Sequence, residues 1–358
     1  MSKPTVIVAL SGGVDSSVAA LLLKESGYTV IGVTMRLWGA ERADVPGYQK
    51  SCCSVEDVDD ARRVCQIIGA PHYFLNFERE FKSYVVDYFC REYARGRTPH
   101  PCIACNDKMK SDLLLQRANL MGADYIATGH YARITQGENI WRLLKGVDPS
   151  KDQSYVLFNL TQEEMKRTLL PVGWYSKEDI RRIAREAKLP VADKPDSQEI
   201  CFIPDGNYRQ FLEERIPSRP GNMVDSHGNI LGRHPGIANF TVGQRRGLGV
   251  ASAIPLYVLE LDAQENRVVV GDAQELEETD LWAEDLNYIT GCEPSGPIEV
   301  AAKIRYKARE VPATLYPEGD RARVEFHEPQ RALTPGQAVV FYHGEEVLGG
   351  GIINRRLC

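Results

Sequence analysis

Two short segments of the sequence combine residue types and spacing that could do chemistry. The first, SGGVDSS at residues 11–17, ends an apolar run and precedes an Ala- and Leu-rich stretch. A strand that stops at such a turn before a helix surrounds a small concavity with backbone N–H groups, which favour an anion. Gly12 and Gly13 let the backbone approach phosphate oxygens, and Asp15 could hold Mg²⁺ against them. The lysine of the usual triphosphate loop is missing, so the segment suits gripping a leaving pyrophosphate.

The second segment is TPHPCIACND at residues 98–107, which places Cys102 and Cys105 three apart, just ahead of a predicted helix. A thiol near a helix N-terminus has a lowered pKa, and such a pair suits redox chemistry or metal binding. Zinc needs four ligands and no second C-x-x-C is present, while buried inert cysteines are common. A third candidate, Cys201, ends the segment DSQEIC at residues 196–201. We interpret the remaining cysteines as structural or incidental: Cys52, Cys53, Cys65, Cys90, Cys292 and Cys358.

The elements that must position these residues alternate in type over the first part of the chain. Short runs rich in Val, Ile, Tyr and Phe predict strands at 5–10, 28–35, 71–77 and 124–129. Helical patterns follow at 14–26, 54–68, 81–94, 108–121 and 177–188. This alternation predicts an α/β unit with a parallel sheet covered by helices on both faces.

After about residue 205, Pro and Gly become frequent and the helical periodicity fades. Short strands with turns at 256–272 and 298–352 predict a small barrel or sandwich. We therefore expect a catalytic domain at 1–205, a small central domain at 206–275 and a β-barrel domain at 276–358.

Composition excludes some classes of protein. The 358 residues are 43% hydrophobic and 26% charged, as in an ordinary soluble globular protein, and no run approaches the ~18 apolar residues of a membrane span. The net charge of −6 gives no overall basic footprint, so nucleic-acid contacts would come from local patches. The chain enters a strand without an export signal and has nine cysteines, which predicts a cytoplasmic protein that uses thiols for chemistry.

The motifs together resemble a known family. In chain order they are SGGVDSS, TPxPxxxCN, ATGHY, KDQSY, DSQxICF and TVGQRRGLG, followed by PGQAV and LGGGI near the C-terminus. Ser-Gly-Gly alone would fit a plain tight turn, but the whole set is similar to the tRNA-specific 2-thiouridylases of the N-type ATP pyrophosphatase superfamily. These enzymes replace the C2 oxygen of the wobble uridine, U34, with sulfur. The resemblance implies an ATP pyrophosphatase domain, a small central domain and a C-terminal β-barrel that contacts tRNA.

The resemblance also implies roles for individual residues. ATP would be bound, with Mg²⁺ held through the phosphates by Asp15, at Ala9, Leu10, Ser11, Gly12, Gly13, Val14, Asp15, Ser16, Met35 and Gly129. The pocket for the target base would be lined by His100, Pro101 and Cys102. Contacts with tRNA would come from His130, Lys151, Asp152, Gln153, Arg305, Tyr306 and Gln337. Judged without the family, these charged residues would fit a solvated surface.

The implied mechanism is a sulfur relay. ATP adenylates O2 of the uracil, and Cys201 carries a persulfide received from a sulfur-donor protein. Cys105 either forms a disulfide with Cys201 that releases the sulfur or attacks as the nucleophile itself. Many relatives carry Asp where Cys102 stands, and a third thiol at the site makes a [4Fe–4S] cluster on Cys102, Cys105 and Cys201 an alternative. We favour the relay, because a lone C-x-x-C does not specify a metal.

Two other functions fit parts of the sequence. An ATP pyrophosphatase that forms amides would not need Cys105 or Cys201, and it would need an ammonia source that the sequence does not show. An RNA-binding protein that only senses ATP would not need Asp15 together with the two thiols. Exchange of pyrophosphate into ATP that depends on tRNA would separate the ATP-sensing RNA-binding protein from both enzymes.

Overall fold

The structure is a computed structural model that describes residues 3–39, 55–196 and 200–354. Strands in its first part are β1 (Thr5–Ala9), β2 (Thr29–Arg36), β3 (His72–Asn76), β4 (Tyr125–Ala127), β5 (Ala132–Gln136), β6 (Trp141–Lys145) and β7 (Thr168–Leu169). Five of these form a parallel sheet in the order β3-β2-β1-β4-β7. Val6, Ile7 and Val8 of β1 are fully buried because helices cover both faces of this sheet. The predicted α/β fold class is confirmed.

The helices of the described chain are α1 (Val14–Glu25), α2 (Val55–Ile68), α3 (Glu78–Phe81), α4 (Asp87–Ala94), α5 (Pro101–Ala104), α6 (Leu114–Leu120), α7 (Gln162–Lys166), α8 (Lys177–Glu186) and α9 (Tyr208–Glu213). Wide π-type turns at Lys82–Val86 and Cys105–Leu113 join α3 to α4 and α5 to α6. Short 3₁₀ turns lie at Ser154–Leu157, Pro171–Trp174 and Ile237–Asn239. None of the helices that the structure describes is long and apolar enough to span a membrane.

One predicted helix boundary is wrong, and it concerns the cysteine pair. The sequence predicted a helix that begins at residue 108, with Cys102 and Cys105 ahead of it. In the structure, helical backbone begins at Pro101, after the extended residue His100. Proline is pre-organised for the first helical position, where its missing N–H costs no hydrogen bond. Cys102 therefore lies in the first turn of α5, and Cys105 lies at the start of the π-type segment.

The central part of the chain forms a separate four-stranded sheet. Its strands are β8 (Gly221–Val224), β9 (Ile230–His234), β10 (Tyr257–Asp262) and β11 (Arg267–Gly271), and their order is β10-β11-β8-β9. Met223, Val258 and Val268 are fully buried in its own small core.

The last part of the chain closes into a barrel. Its strands are β12 (Glu277–Tyr288), β13 (Ile298–Lys303), β14 (Val311–Glu318), β15 (Arg321–Arg331), β16 (Ala338–His343) and β17 (Glu346–Asn354). They pair in the order β12-β15-β14-β13-β16-β17, and β12 also pairs with β17, which closes the ring. The prediction of a small barrel or sandwich is thereby resolved as a barrel.

A hairpin from the first part of the chain extends this barrel sheet. Strands β5 and β6 pair with each other, and Leu143 and Leu144 of β6 pair with Val347 and Glu346 of β17. Leu143 and Val347 are fully buried in one core that also contains Tyr155 and Tyr342. The catalytic unit and the barrel thus share both a sheet and a hydrophobic core.

Candidate active site

The turn after β1 has a backbone that requires glycine. Gly12 adopts φ +71°, and a Cβ there would lie 2.4 Å from the backbone oxygen of Asp57. Gly13 is the N-cap of α1, so no side chain caps the first amides of this helix. Those N–H groups face the space in front of the turn, where they can donate to an anion. The geometry supports a phosphate site on this turn.

Serine side chains and a second glycine hold the turn in place. The Ser11 N–H donates to Ser16 Oγ over 3.2 Å, and the Ser17 hydroxyl donates to the Gly13 carbonyl over 2.8 Å. Gly129, just after β4, lies against the same turn: a Cβ there would lie 2.5 Å from the Ser16 nitrogen. Only a residue without a side chain allows these two segments to touch.

The remaining residues predicted to contact ATP differ in what they can offer. Leu10 and Val14 have side chains buried in the core, and the Leu10 N–H already donates to Val33 O. Ala9 is half-buried at the end of β1, and Met35 is buried near the end of β2. Leu10 and Val14 could therefore contact a nucleotide only through backbone atoms.

Lysines that the sequence did not assign to this turn approach it from distant segments. Lys177, at the start of α8, places Nζ 2.7 Å from Oδ1 and 2.9 Å from Oδ2 of Asp15. The Tyr131 hydroxyl donates to the same Oδ1 over 2.6 Å. Lys177 belongs to the helix predicted at 177–188, which the sequence did not connect with this turn. The fold places its ammonium beside the turn.

Lys194 is the second such lysine. Its Nζ donates to the Gly12 carbonyl over 2.9 Å and lies 2.6 Å from Asp57 Oδ1 and 2.7 Å from Asp60 Oδ2. It thereby ties the turn to α2. No local pattern marks Lys194, because its partners lie more than 100 positions away along the chain.

Asp196, the first residue of the DSQEIC segment, forms ion pairs with three basic side chains. Lys151 and Lys177 each place Nζ 2.8 Å from its carboxylate, and Arg181 lies 3.0 Å away. Burial by itself raises the pKa of Asp196, but the hydrogen bonds from the two lysines outweigh it and lower that pKa to about 2. Lys177 thus bridges the phosphate turn and the start of the cysteine-bearing segment, of which residues 197–199 lie outside the described chain.

Two of the three candidate thiols share one hydrophobic cluster. Cys105 is 8% exposed and belongs to the same core as Met35, and the half-buried Cys201 packs against it. Cys102 is exposed and lies outside this cluster. No three His, Cys, Asp or Glu side chains within the described ranges are grouped closely enough to hold a metal ion. Within the described ranges Cys105 and Cys201 therefore share one cluster, and no three-thiolate ligand set is grouped there for a [4Fe–4S] cluster.

The predicted base pocket is aromatic. The His100 ring lies 6.1 Å from Tyr155 and 6.2 Å from Tyr306, and the two tyrosine rings are 6.0 Å apart. Burial lowers the pKa of His100, so this ring is neutral near pH 7. Pro101 is buried beside it, and Cys102 is exposed. Tyr155 was missed as a member of this group, although it ends the KDQSY motif.

Several residues predicted to bind tRNA form hydrogen bonds with other residues of this protein. Asp152 accepts from the Gly146 and Ser154 N–H groups, and Gln153 accepts from the Tyr131 N–H. Gln337 donates to the Thr98 carbonyl over 2.7 Å, across the boundary between the barrel and the catalytic unit. The exposed Arg305 donates to the backbone carbonyls of Arg331 and Ala332.

His130 is the most deeply placed of these predicted tRNA contacts. Its Nδ1 is hydrogen-bonded to Thr128 Oγ1 over 2.7 Å, and its Nε2 lies 3.3 Å from Lys110 Nζ. Burial, followed by the nearby Lys110 charge, holds the pKa of His130 well below its usual value of 6.5. In this neutral ring, Nε2 can accept a hydrogen bond from the Lys110 ammonium.

Comparison with known proteins identifies the family. Models of three protein domains match consecutive parts of the chain: a tRNA methyl transferase HUP domain over 4–205, a tRNA methyl transferase PRC-barrel domain over 209–272 and an aminomethyltransferase β-barrel domain over 278–353. A tRNA-specific 2-thiouridylase MnmA from Clostridium perfringens is 51% identical over 360 residues, which cover 100% of both chains. The chain belongs to the tRNA-specific 2-thiouridylase family.

Other matches agree with this membership. A tRNA-specific 2-thiouridylase MnmA from Acetivibrio thermocellus is 52% identical over 358 residues, which cover 99% of this chain and 100% of the relative. A solved 4-thiouridine synthetase in complex with RNA and ATP is 20% identical, with a TM-score of 0.37, over 60% of this chain and 50% of its own. That structural likeness is too low to support an argument about this 2-thiouridylase family member.

The resemblance inferred from the motifs is thereby confirmed at the level of the family. Within this member of the 2-thiouridylase family, the two cysteines of C-x-x-C differ sharply: Cys102 is exposed, whereas Cys105 is buried. The roles of individual residues in ATP, base and tRNA binding remain predictions.

Proposed function

We propose that this protein is a tRNA-uridine 2-sulfurtransferase that thiolates U34 of tRNA at the expense of ATP. One observation carries the proposal: Cys105 belongs to the same hydrophobic core cluster as Met35, and Cys201 packs against that cluster. Strand β2 runs parallel to β1, so Met35 near the end of β2 lies at the same edge of the sheet as the phosphate turn that follows β1. An amide-forming ATP pyrophosphatase would have no use for two thiols in the cluster that contains Met35.

ATP binding would use the backbone amides of the turn and the lysines around it. The β and γ phosphates would lie at the N-terminus of α1, where the helix dipole favours negative charge. Lys177 and Lys194, anchored at Asp15 and at the Gly12 carbonyl, add positive charge at opposite sides of the turn. Their role corresponds to the lysine of the usual triphosphate loop.

Asp15 fits a magnesium ligand, because carboxylate oxygens are hard donors and this carboxylate lies at the phosphate turn. Bound Mg²⁺ would neutralise phosphate charge during cleavage between the α and β phosphates. In the described structure Lys177 neutralises Asp15, and Tyr131 orients it. Lys177 thus holds the carboxylate ready and is available to a phosphate once the carboxylate takes a cation.

The target uracil would be unstacked and placed beside the aromatic group of His100, Tyr155 and Tyr306. Its O2 would attack the α phosphate of ATP, pyrophosphate would leave, and C2 would then carry AMP as a leaving group. The neutral His100 ring and the two tyrosines supply flat faces without placing a positive charge next to the reacting base.

Sulfur would arrive on Cys201 as a persulfide handed over by a donor protein. The terminal sulfur attacks C2, and AMP departs with the former O2. The Cys105 thiolate then attacks Sγ of Cys201, and the old S–S bond breaks with its electron pair on the sulfur now attached to C2. The two thiols are oxidised to a disulfide, the transferred sulfur is reduced, and a dithiol reductant restores both cysteines. The relay written in this way needs no iron–sulfur cluster.

The test measures both half-reactions on one variant. Asp15→Ala removes the carboxylate from the phosphate turn, so tRNA-dependent exchange of labelled pyrophosphate into ATP should disappear while tRNA affinity stays within about twofold. The wild-type protein, given a persulfide donor, should convert U34 to 2-thiouridine, measured by mass spectrometry of tRNA nucleosides. Pyrophosphate exchange by the wild type without tRNA, or no thiolation with it, would refute the proposal.

A further inference from the structure

The TVGQRRGLG segment, residues 241–249, has no role in the proposed reaction, yet it lies where all three parts of the fold meet. The Thr241 side chain lies beside the Tyr93 side chain of the catalytic unit. Leu248 is buried in the core of the central unit. Gly243 lies against the barrel, since a Cβ there would be 2.9 Å from Ala332 Cβ. A ligand that spans the three units would pass this segment.

The backbone of this segment is fixed by its own side chain and by β10. Gln244 accepts from the Thr241 N–H over 3.2 Å and donates to the Arg246 carbonyl over 2.9 Å. The Gly243 N–H donates to Val258 O over 2.8 Å, and the Val258 N–H donates to Gln244 O over 2.9 Å. The segment is therefore a rigid loop that presents the residues at its tip.

The tip consists of Arg245 and Arg246, both exposed. Neither guanidinium forms an ion pair or a hydrogen bond with any residue in the described part of the chain. Other exposed arginines vary: Arg62 lies 3.1 Å from Asp59 on its own helix, whereas its neighbour Arg63 has no ion pair within the described ranges. Two adjacent guanidiniums without carboxylates, on a fixed backbone, are suited to oxygen anions such as phosphates.

The surroundings extend this positive surface in two directions. Arg305 donates to the Ala332 carbonyl, and Ala332 is the residue that Gly243 touches. On the other side, Nη1 of the exposed Arg209 lies 3.9 Å from the place where a Cβ on Gly247 would be. The loop thus lies between Arg305 of the barrel and Arg209 of α9, the helix that follows the Cys201 segment.

We propose that the Arg245–Arg246 loop is an RNA-binding element that carries the tRNA surface from the barrel onto the central unit. Its two guanidiniums contact backbone phosphates, while the body of the loop holds them in register with Arg305. Backbone contacts of this kind position a nucleic acid without reading its sequence. The inference rests on the proposed function, since it assumes that tRNA is the substrate.

The experiment compares tRNA affinity across a salt series for the full-length protein and the double variant R245A/R246A. Each phosphate contact contributes about 0.7 to 0.9 to the slope of log Kd against log salt, so the slope should fall by about 1.4 to 1.8. Affinity near 100 mM salt should fall about tenfold or more. The double variant R62A/R63A removes the same charge from α2 and should leave the slope within error.

Two further variants separate charge from presentation. R245K/R246K keeps both charges but loses the planar fork, so the slope should persist while affinity falls severalfold. Q244A keeps both arginines but frees the loop, and it should weaken binding without changing the slope. An unchanged slope in R245A/R246A overturns the inference, as does normal tRNA binding combined with loss of sulfur loading from the donor protein, which would assign the loop to that protein.

The result is distinguishable from failure of the proposed function. If wild-type protein binds and thiolates tRNA while R245A/R246A behaves identically, only the role of this loop is refuted. If the wild type does not bind tRNA at all, the proposed function itself fails, and the loop inference fails with it.

Discussion

Lys177 and Asp15 form an ion pair between residues 162 positions apart, with Nζ 2.7 Å from Oδ1 and only 11% of the lysine side chain exposed. The same ammonium lies 2.8 Å from Asp196. One cation therefore connects the phosphate turn to the segment that leads to Cys201. Its position explains how a phosphate turn without its own lysine can still bind a triphosphate.

Removing this cation should damage ATP chemistry selectively. We expect Lys177→Ala to lower tRNA-dependent ATP–pyrophosphate exchange at least tenfold, a loss of about 1.4 kcal/mol or more, because Asp15 and the phosphates lose their shared counter-charge. Binding of tRNA should change less than twofold. Arg182→Ala is the control, since Arg182 lies on the same helix and, among the described residues, forms its ion pairs with Asp179 and Glu186. Equal losses in both variants would assign the effect to α8 as a whole.

Close contact between two backbone segments makes Gly129 a second sensitive position. Gly129→Ala places a Cβ only 2.5 Å from the Ser16 nitrogen, so the phosphate turn must shift. We expect at least a tenfold rise in the Kd for ATP, measured by calorimetry, with the cooperative unfolding transition retained. Gly296→Ala meets nothing within 4 Å and should leave ATP affinity unchanged. Normal ATP affinity in Gly129→Ala would remove this residue from the nucleotide site.

We expect substitutions of the three cysteines to have different effects. Cys201→Ser and Cys105→Ser should still exchange pyrophosphate into ATP with tRNA present, but they should form no 2-thiouridine, because an alcohol cannot carry or displace a persulfide sulfur. Cys102→Ala should retain a substantial fraction of the thiolation activity, since this exposed thiol lies outside the shared cluster. Complete loss of thiolation in Cys102→Ala would favour a three-cysteine cluster over the relay.

Buried His130 predicts a dependence of stability on pH. Its pKa lies well below 6.5 in the folded protein, so only the unfolded chain takes up a proton there as the pH falls below about 6.5. The contribution of His130 to the free energy of unfolding should therefore be constant above pH 7. It should fall by up to about 1.4 kcal/mol per pH unit between about pH 6.5 and the pKa of His130 in the folded protein. Urea denaturation of His130→Asn at pH 5.5 and 7.5 should show a smaller loss than the wild type. The exposed His343→Asn serves as the control and should keep the wild-type loss.

Local sequence predicted most of the first sheet, because its strands are uninterrupted apolar runs such as Val6–Val8 and its helices carry ordinary start signals. The motifs also directed attention to the turn at 11–17 and to Cys105 and Cys201, and the roles of these residues stay predictions. Lys177 and Lys194 were not assigned to the site, because their partners Asp15 and Gly12 lie far away in sequence. The helix start at Pro101 was missed because the helical pattern was recognised only from residue 108, although proline is a favoured first helical residue.

The hairpin of β5 and β6 has a mechanical consequence. Strand β6 is hydrogen-bonded to β17, so the boundary between the two domains in the sequence does not correspond to a flexible junction in the fold. Force applied to the barrel reaches the catalytic unit through a continuous sheet and through the core that holds Leu143 with Val347. A swinging hinge between the two is therefore ruled out while this hairpin stays paired. RNA bound to the barrel would therefore lie at a fixed distance from the phosphate turn, because the barrel and the catalytic unit cannot move independently of each other.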